Sequence, residues 1–176
     1  SFYINNGKYN YQKGKYYIYT NIQFLLNIPS MEEGNDECTA EYEYDESNLS
    51  GLHAAEQVGM PPEQVFKTLV ARGEKTGIHV FCIPVCCELD LKKAAKAAGD
   101  KNMELVPVKE LLGLTGYIRG GCSPVGMKKR YPTFFDETAL LWDEIAVSAG
   151  ERGHQMVVPT EALVEFVSAE FVDIIL

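Results

Sequence analysis

Beyond residue 38 the apolar positions switch repeatedly between a period near two and a period near 3.6, the pattern of strands alternating with short helices. Residues 40–44 suit a strand. Ser50 then stands before a short amphipathic helix over residues 52–58, closed by Gly59. Pro61 and Pro62 fit the first turn of a second brief helix, which leads into a β-type run at residues 66–71. The glycines at 73 and 77 turn the chain back into a strand over residues 78–85. Asp90 caps a helix over 91–98 that stops at Gly99, a strand follows at 103–106, and residues 109–112 are helical. Residues 115–126 are too rich in glycine to be either element. Short strands near 133–135, 145–147 and 156–158 precede a helix from 160 to about 169. The pattern predicts a single mixed α/β domain of the α+β kind.

Residues 1–37 do not share this patterning. Tyr3, Tyr9, Tyr11, Tyr16, Tyr17 and Tyr19 are interspersed with Asn, Lys and Gly, Pro29 stops any helix begun at Thr20-Asn21, and residues 32–37 form an acidic linker. The expected organisation is therefore an irregular or appended segment at 1–37 and one folded domain at 38–176. A chain of 176 residues, 46% hydrophobic and 23% charged, can bury a real core.

Charge narrows the partners. Sixteen Lys plus Arg against 25 Asp plus Glu give −9, so no global positive field holds a nucleic acid; DNA is not expected, and any RNA contact must be local. No apolar run approaches the roughly 20 residues of a membrane span, so no membrane segment is expected. Five cysteines, an odd number without a secretory leader, suit a reducing cytoplasm. His79, Cys82 and Cys86 resemble half a metal site, but no second Cys or His pair completes a tetrahedral shell, so no metal is expected.

Three features can carry chemistry. Lys67 lies on an extended segment, sharing a face with Leu69 and Ala71 while Phe66, Thr68 and Val70 take the other. Such a lysine either snorkels to water or presents its ammonium to an anionic or carbonyl oxygen. The loop from Thr115 to Pro124 contains Gly120 and Gly121, whose backbone N–H groups can approach a phosphate or oxyanion, or simply make a turn. It is not a P-loop, because no Gly-Lys-Ser/Thr follows. Lys128-Lys129-Arg130, and Lys92, Lys93 and Lys96, are local cations on an acidic protein, either solvated or placed for phosphates. Neither the three histidines nor Cys122 sits in a recognisable nucleophile motif.

Several ordered motifs resemble one family. They are Tyr42-Glu43-Tyr44-Asp45, Val65-Phe66-Lys67-Thr68-Leu69, Leu89-Asp90-Leu91-Lys92-Lys93, Thr115-Gly116-Tyr117 with Gly120-Gly121-Cys122-Ser123-Pro124-Val125-Gly126, and Val147-Ser148-Ala149-Gly150 with Arg152-Gly153. Over residues 41–172 the chain is similar to the YbaK/ProX-type aminoacyl-tRNA deacylases, relatives of the editing domain of bacterial prolyl-tRNA synthetase. The resemblance implies a compact, partly barrel-like mixed sheet with helices around it, needing no cofactor. It implies trans-editing, the hydrolysis of the ester joining a wrong amino acid, most often cysteine on proline tRNA, to the tRNA 3′ end. Mischarged tRNA is the implied partner, with prolyl-tRNA synthetase as the candidate protein partner. Lys67, Gly120 and Ser148 match the family's catalytic positions, and Tyr42, Thr68, Gly121, Ser123, Pro124 and Gly150 its substrate pocket. Arg119, Lys128 and Lys129 are placed for tRNA. Lys67-Thr68-Leu69 looks like the cysteine-specific branch, in which the substrate thiol itself attacks; an alanine-specific deacylase, or a tRNA- or synthetase-binding module without turnover, are the alternatives. Leu49-Ser50 departs from a position where an aromatic lines the pocket, and Gln155 stands where some relatives carry an acid.

Overall fold

A computed structural model describes the strand Thr39–Glu41 (β1) and residues 51–176. The expected cap at Ser50, the strand residues 42–44 and the segment 1–37 lie outside the described residues.

Hydrophobic alternation builds the centre first. The strand Val65–Gly73 (β2) pairs antiparallel with Gly77–Pro84 (β3), from Phe66 beside Pro84 to Gly73 beside Gly77. A three-residue loop joins them, and Gly77, at φ +82°, supplies the left-handed position such a loop requires. β3 runs between β2 and Thr133–Asp136 (β5), and its unbroken buried stretch Val80-Phe81-Cys82-Ile83 reflects a strand covered on both faces. Outward from β2 lie Glu144–Ser148 (β6), His154–Pro159 (β7) and β1; outward from β5 lies Glu170–Val172 (β8). The order is β1-β7-β6-β2-β3-β5-β8, with Met103–Leu105 (β4) also laddered to β2. β2 meets β6 at Val65 and Phe66 and β4 at residues 71–73, so one long strand serves two neighbours. The sheet is mixed: the β2/β6, β3/β5 and β5/β8 ladders are parallel and the others antiparallel.

Helices Gly51–Val58 (α1), Leu91–Ala97 (α2), Val108–Thr115 (α3) and Thr160–Val167 (α4) surround the sheet. Phe66, Cys82, Phe135, Val147 and Met156 pack under Leu163 and Val164 of α4. On the opposite face Ala71, Phe81, Ile83 and Phe134 pack with Ala94 and Ala95 of α2. Ala55 of α1 closes over Val65, Val85 and Ala146. Asp90 caps α2 as expected, its Oδ1 accepting from Lys92 N at 2.8 Å and Lys93 N at 3.1 Å.

The brief helix expected after Pro61 is instead a single turn in which Gln64 N donates to the Pro61 carbonyl at 2.9 Å. The ladder that begins at Val65 leaves too few residues for a helix. β8 and the 3-10 turn Glu137–Leu141 have no counterpart in the sequence reading.

A carboxylate, Asp100, buttresses the β2–β3 loop. Asp100 Oδ2 accepts from Lys75 N, Thr76 N and Thr76 Oγ1, each at 2.8 Å. The Lys75 and Thr76 N–H groups hold its carboxyl well below the usual carboxylate range. A carboxyl depressed on folding contributes stability that is present above its unfolded pKa, about 4, and lost as pH falls. The melting temperature of Asp100→Ala protein is therefore expected below wild type at pH 7, with the gap closing as pH falls below about 4 in thermal melts across pH. A gap independent of pH would assign the loss to packing alone.

Candidate active site

The parallel ladder sets Val65 beside Ala146 and Phe66 beside Val147 and ends there, so Lys67 and Ser148 are the next residues on the two strands and point to the same face. The antiparallel ladders pair Lys67 with Ile83 and Ser148 with Gln155. Ile83, Lys67, Ser148 and Gln155 thus form one row across four strands, on the face that α1 partly covers.

Each polar member of the row is held differently. Lys67 Nζ donates to the Val85 carbonyl at 3.4 Å and lies 3.8 Å from Glu88 Oε1, while its side chain stays 28% exposed. Its ammonium is therefore steered by the turn that follows β3, yet remains open to a ligand. Ser148, 8% exposed, accepts at Oγ from Gly150 N at 3.2 Å, which leaves its hydroxyl proton to offer. Gln155 is 6% exposed, and its amide has no hydrogen-bond partner among the described residues. A buried primary amide without partners costs about 1–3 kcal/mol, so the row favours an occupant that bonds to it.

The glycine-rich loop docks on the same end of β6. Gly121 lies against the 151–152 backbone, where a Cβ would meet Glu151 C at 3.2 Å. Arg152 Nε donates to the Arg119 carbonyl at 2.9 Å. Tyr117 lays its ring on Gly150 and donates from its hydroxyl to the Val125 carbonyl. Gly120 and Gly121 are not equivalent donors: Gly121 N donates to the Ile118 carbonyl at 3.0 Å, so of the two only the Gly120 N–H is left unclaimed by a backbone carbonyl. Ser123 is buried, and its Oγ accepts from Val125 N at 3.2 Å; Pro124 is buried beside it. These two shape the loop. Thr68 lies on the sheet face opposite Lys67, its Oγ1 3.8 Å from Cys82 Sγ, and so is not brought into the row. Tyr42 falls outside the described residues.

No described buried thiol is activated. Burial raises the Cys82 thiol far above its ordinary range, outweighing the hydrogen bond with Thr68, and pushes Cys122 up to about 12. His79 stacks on Phe134 with ring centroids 6.2 Å apart, on the face away from Cys82, so the spacing of His79, Cys82 and Cys86 does not become a ligand set. The described residues contain no cluster of three metal-ligating side chains. Arg119, Lys128 and Lys129 are exposed along the stretch between α3 and β5; Lys128 Nζ is tethered to the Leu112 carbonyl at 3.1 Å.

The mixed sheet thus presents a lysine, a serine and an amide on one face beside a loop whose Gly120 N–H no backbone carbonyl claims, while Cys82 and Cys122 are held protonated by burial. The model of the aminoacyl-tRNA editing domain matches residues 51–166. The chain is 47% identical over 134 residues, 76% of its length and 82% of the relative's, to EbsC of Enterococcus faecalis, a candidate Cys-tRNA(Pro)/Cys-tRNA(Cys) deacylase by name. It is 26% identical over 124 residues, 70% of its length and 78% of the relative's, to the uncharacterised YwhH of Bacillus subtilis. Among solved structures, a candidate trans-editing enzyme for prolyl tRNA synthetase superposes with a TM-score of 0.72 at 26% identity, covering 90% of this chain and 97% of that one. The chain belongs to the aminoacyl-tRNA editing domain family. It is an enzyme that deacylates tRNA.

The sequence singles out Lys67, Gly120 and Ser148 as candidates but gives Gln155 only as a departure from relatives. Its signal was a polar residue directly before the apolar run from Met156 to Val158, legible only once β6 and β7 are paired.

Proposed function

We propose that the protein removes cysteine from mischarged proline tRNA in trans, by attack of the substrate's own thiol. The observation that carries this reading is the row of Lys67, Ser148 and Gln155 beside a loop N–H, with both buried described thiols held protonated. The name of the E. faecalis relative supports the substrate. The substrate sulfur bonds to its ester carbonyl carbon, the bond from that carbon to the terminal ribose oxygen breaks, and the tRNA hydroxyl leaves with the proton. Water then opens the small thiolactone to free cysteine. Lys67 donates to the ribose or ester oxygen and Gly120 N–H to the developing oxyanion. Ser148 and Gln155 fix the amino group and carbonyl of the aminoacyl moiety. Gly121, Ser123, Pro124 and Gly150 hold the loop and turn in place, with Tyr42 as a further pocket residue.

Arg119, Lys128 and Lys129 contact tRNA phosphates in this reading, and prolyl-tRNA synthetase is the protein partner. Among the described residues no helix is long and apolar enough to cross a membrane, and the cytoplasm, where tRNA is charged, is the proposed setting. Lys129→Ala is expected to weaken tRNA binding uniformly and to lower the slope of log K against log salt by about one, read by filter binding at several salt concentrations. An unchanged slope removes Lys129 from the interface.

The decisive assay compares cysteinyl-, S-methylcysteinyl- and alanyl-proline tRNA. Fast loss of cysteine is expected, with the S-methyl ester slower by about 100-fold or more, since it keeps the shape but cannot attack. Equal turnover of alanine would replace the proposal by an alanine deacylase, and turnover of none by a binding module.

A further inference from the structure

The turn after β3 carries two thiols between the two groups that hold Lys67. Val85 supplies the carbonyl at 3.4 Å from Lys67 Nζ and Glu88 the carboxylate at 3.8 Å; Cys86 and Cys87 stand between them. The two sulfurs are 3.7 Å apart. Cys86 is exposed and Cys87 half-buried, so the pair can be reached from solvent. The turn is anchored on both sides: Val85 N donates to the Val65 carbonyl at 2.8 Å, Cys87 N to the Pro84 carbonyl at 3.0 Å, and Leu176 N to the Glu88 carbonyl at 3.1 Å. Cys82 and Cys122, by contrast, are buried in the fold. Neither the family match nor the proposed mechanism uses Cys86 or Cys87.

We propose that Cys86 and Cys87 form a vicinal dithiol site that closes on one thiophilic centre of the trivalent-arsenical class, and that its occupation displaces the seat of Lys67. With a monosubstituted arsenical oxide, two As–S bonds form and the As–O bond breaks. The two thiol protons leave with the oxygen as water, and no atom changes oxidation state. Burial and the hydrogen bond with Cys86 push the Cys87 thiol up to about 11, so the exposed Cys86 bonds first and Cys87 closes the ring. Closure draws the sulfurs together within four consecutive residues, and the Val85 carbonyl and the Glu88 carboxylate shift with them. A displacement of about 1 Å at such a positioning group costs on the order of 100-fold in rate.

The dithiol site stands by itself, whereas its effect on turnover rests on the role proposed for Lys67. The test treats the full chain with one equivalent of phenylarsine oxide and reads intact mass, peptide mapping and deacylation together. Expected are one arsenical per chain with loss of one water, mapped across Cys86 and Cys87, removable by 2,3-dimercaptopropanol but not by the same concentration of a monothiol. Cys86→Ser and Cys87→Ser should each abolish the monothiol-resistant adduct. Deacylation should fall about 10- to 100-fold and return with the dithiol, while the double serine variant stays active and insensitive. An adduct on Cys38, Cys82 or Cys122, or none stable to monothiol, overturns the site. An adduct across Cys86 and Cys87 with unchanged turnover overturns the coupling to Lys67. If the untreated protein deacylates none of the tested tRNAs, the proposed function fails, and mass and mapping still decide the site.

Discussion

Replacing Lys67 by alanine is expected to lower kcat/KM for deacylation by about 100- to 1,000-fold, the loss typical of removing one preorganised donor from an oxygen that gains charge in the transition state, here the departing ribose oxygen. The fold should survive. Lys67 is partly exposed, its bond to the Val85 carbonyl is long, and its partner Glu88 is 81% exposed. An ion pair of that kind contributes at most about 1 kcal/mol. Activity and stability therefore separate at this residue, which a lysine that merely packs its stem would not allow. Arginine should not restore the rate, because a planar guanidinium on a longer reach cannot repeat the point donor that the turn after β3 steers. Single-turnover deacylation with thermal melts of the same preparations reads both quantities. Wild-type turnover by Lys67→Ala protein would remove the residue from the chemistry.

The second large effect is expected at Gly150, which touches no substrate atom in the proposed mechanism. Its φ of +98° lies in the left-handed region, and a Cβ there would stand 2.9 Å from Tyr117 Cε1. The ring cannot swing clear easily, because its hydroxyl is bound to the Val125 carbonyl inside the glycine-rich loop. Left-handed backbone costs about 1–2 kcal/mol for a residue with a Cβ, and overpacking about 1–3 kcal/mol more. Gly150→Ala should therefore lose about 2–5 kcal/mol, a fall of roughly 4–20 °C in Tm for a chain of this size. Gly59 separates the two contributions. Its φ of +73° is also left-handed, but nothing lies within 4 Å of its Cβ position, so Gly59→Ala should show the backbone cost alone. Equal losses at both positions would show that the Tyr117 ring yields freely. Because Gly150 N also donates to Ser148 Oγ, Gly150→Ala should slow deacylation as well, whereas Gly59→Ala should not.

How far the sequence foretells this site differs from residue to residue. Lys67 was legible twice, by strand alternation and by the motif it sits in. Thr68 shows the two signals in conflict: the motif places it in the pocket, whereas alternation places it on the other face, where the structure finds it beside Cys82. Strand parity is a covalent consequence of the extended backbone. The pocket assignment is a transfer from relatives. The cap of α2 was readable because Asp90 acts on its own helix, two and three residues away. Ser148 was grouped with Lys67 only by the motif it sits in, and the place of Gln155 beside Ser148 was not readable, since it depends on the β6/β7 ladder, which no local pattern encodes. β8 escaped for another reason: three residues, one exposed and two half-buried, are too few to show a period. The glycine pair announced a possible donor loop, but which N–H stays free depends on Gly121 turning back to Ile118.

The row across four strands also sets an order of events during synthesis. Lys67 emerges early and can pair with β3 in a local hairpin, but its other neighbours are about eighty residues further along the chain, and such distant pairings form late. Until β6 and β7 have left the ribosome the lysine has no Ser148 beside it, and a nascent or prematurely terminated chain lacks the row altogether. An enzyme that deacylates tRNA thus becomes competent only after the ribosome has translated through β7.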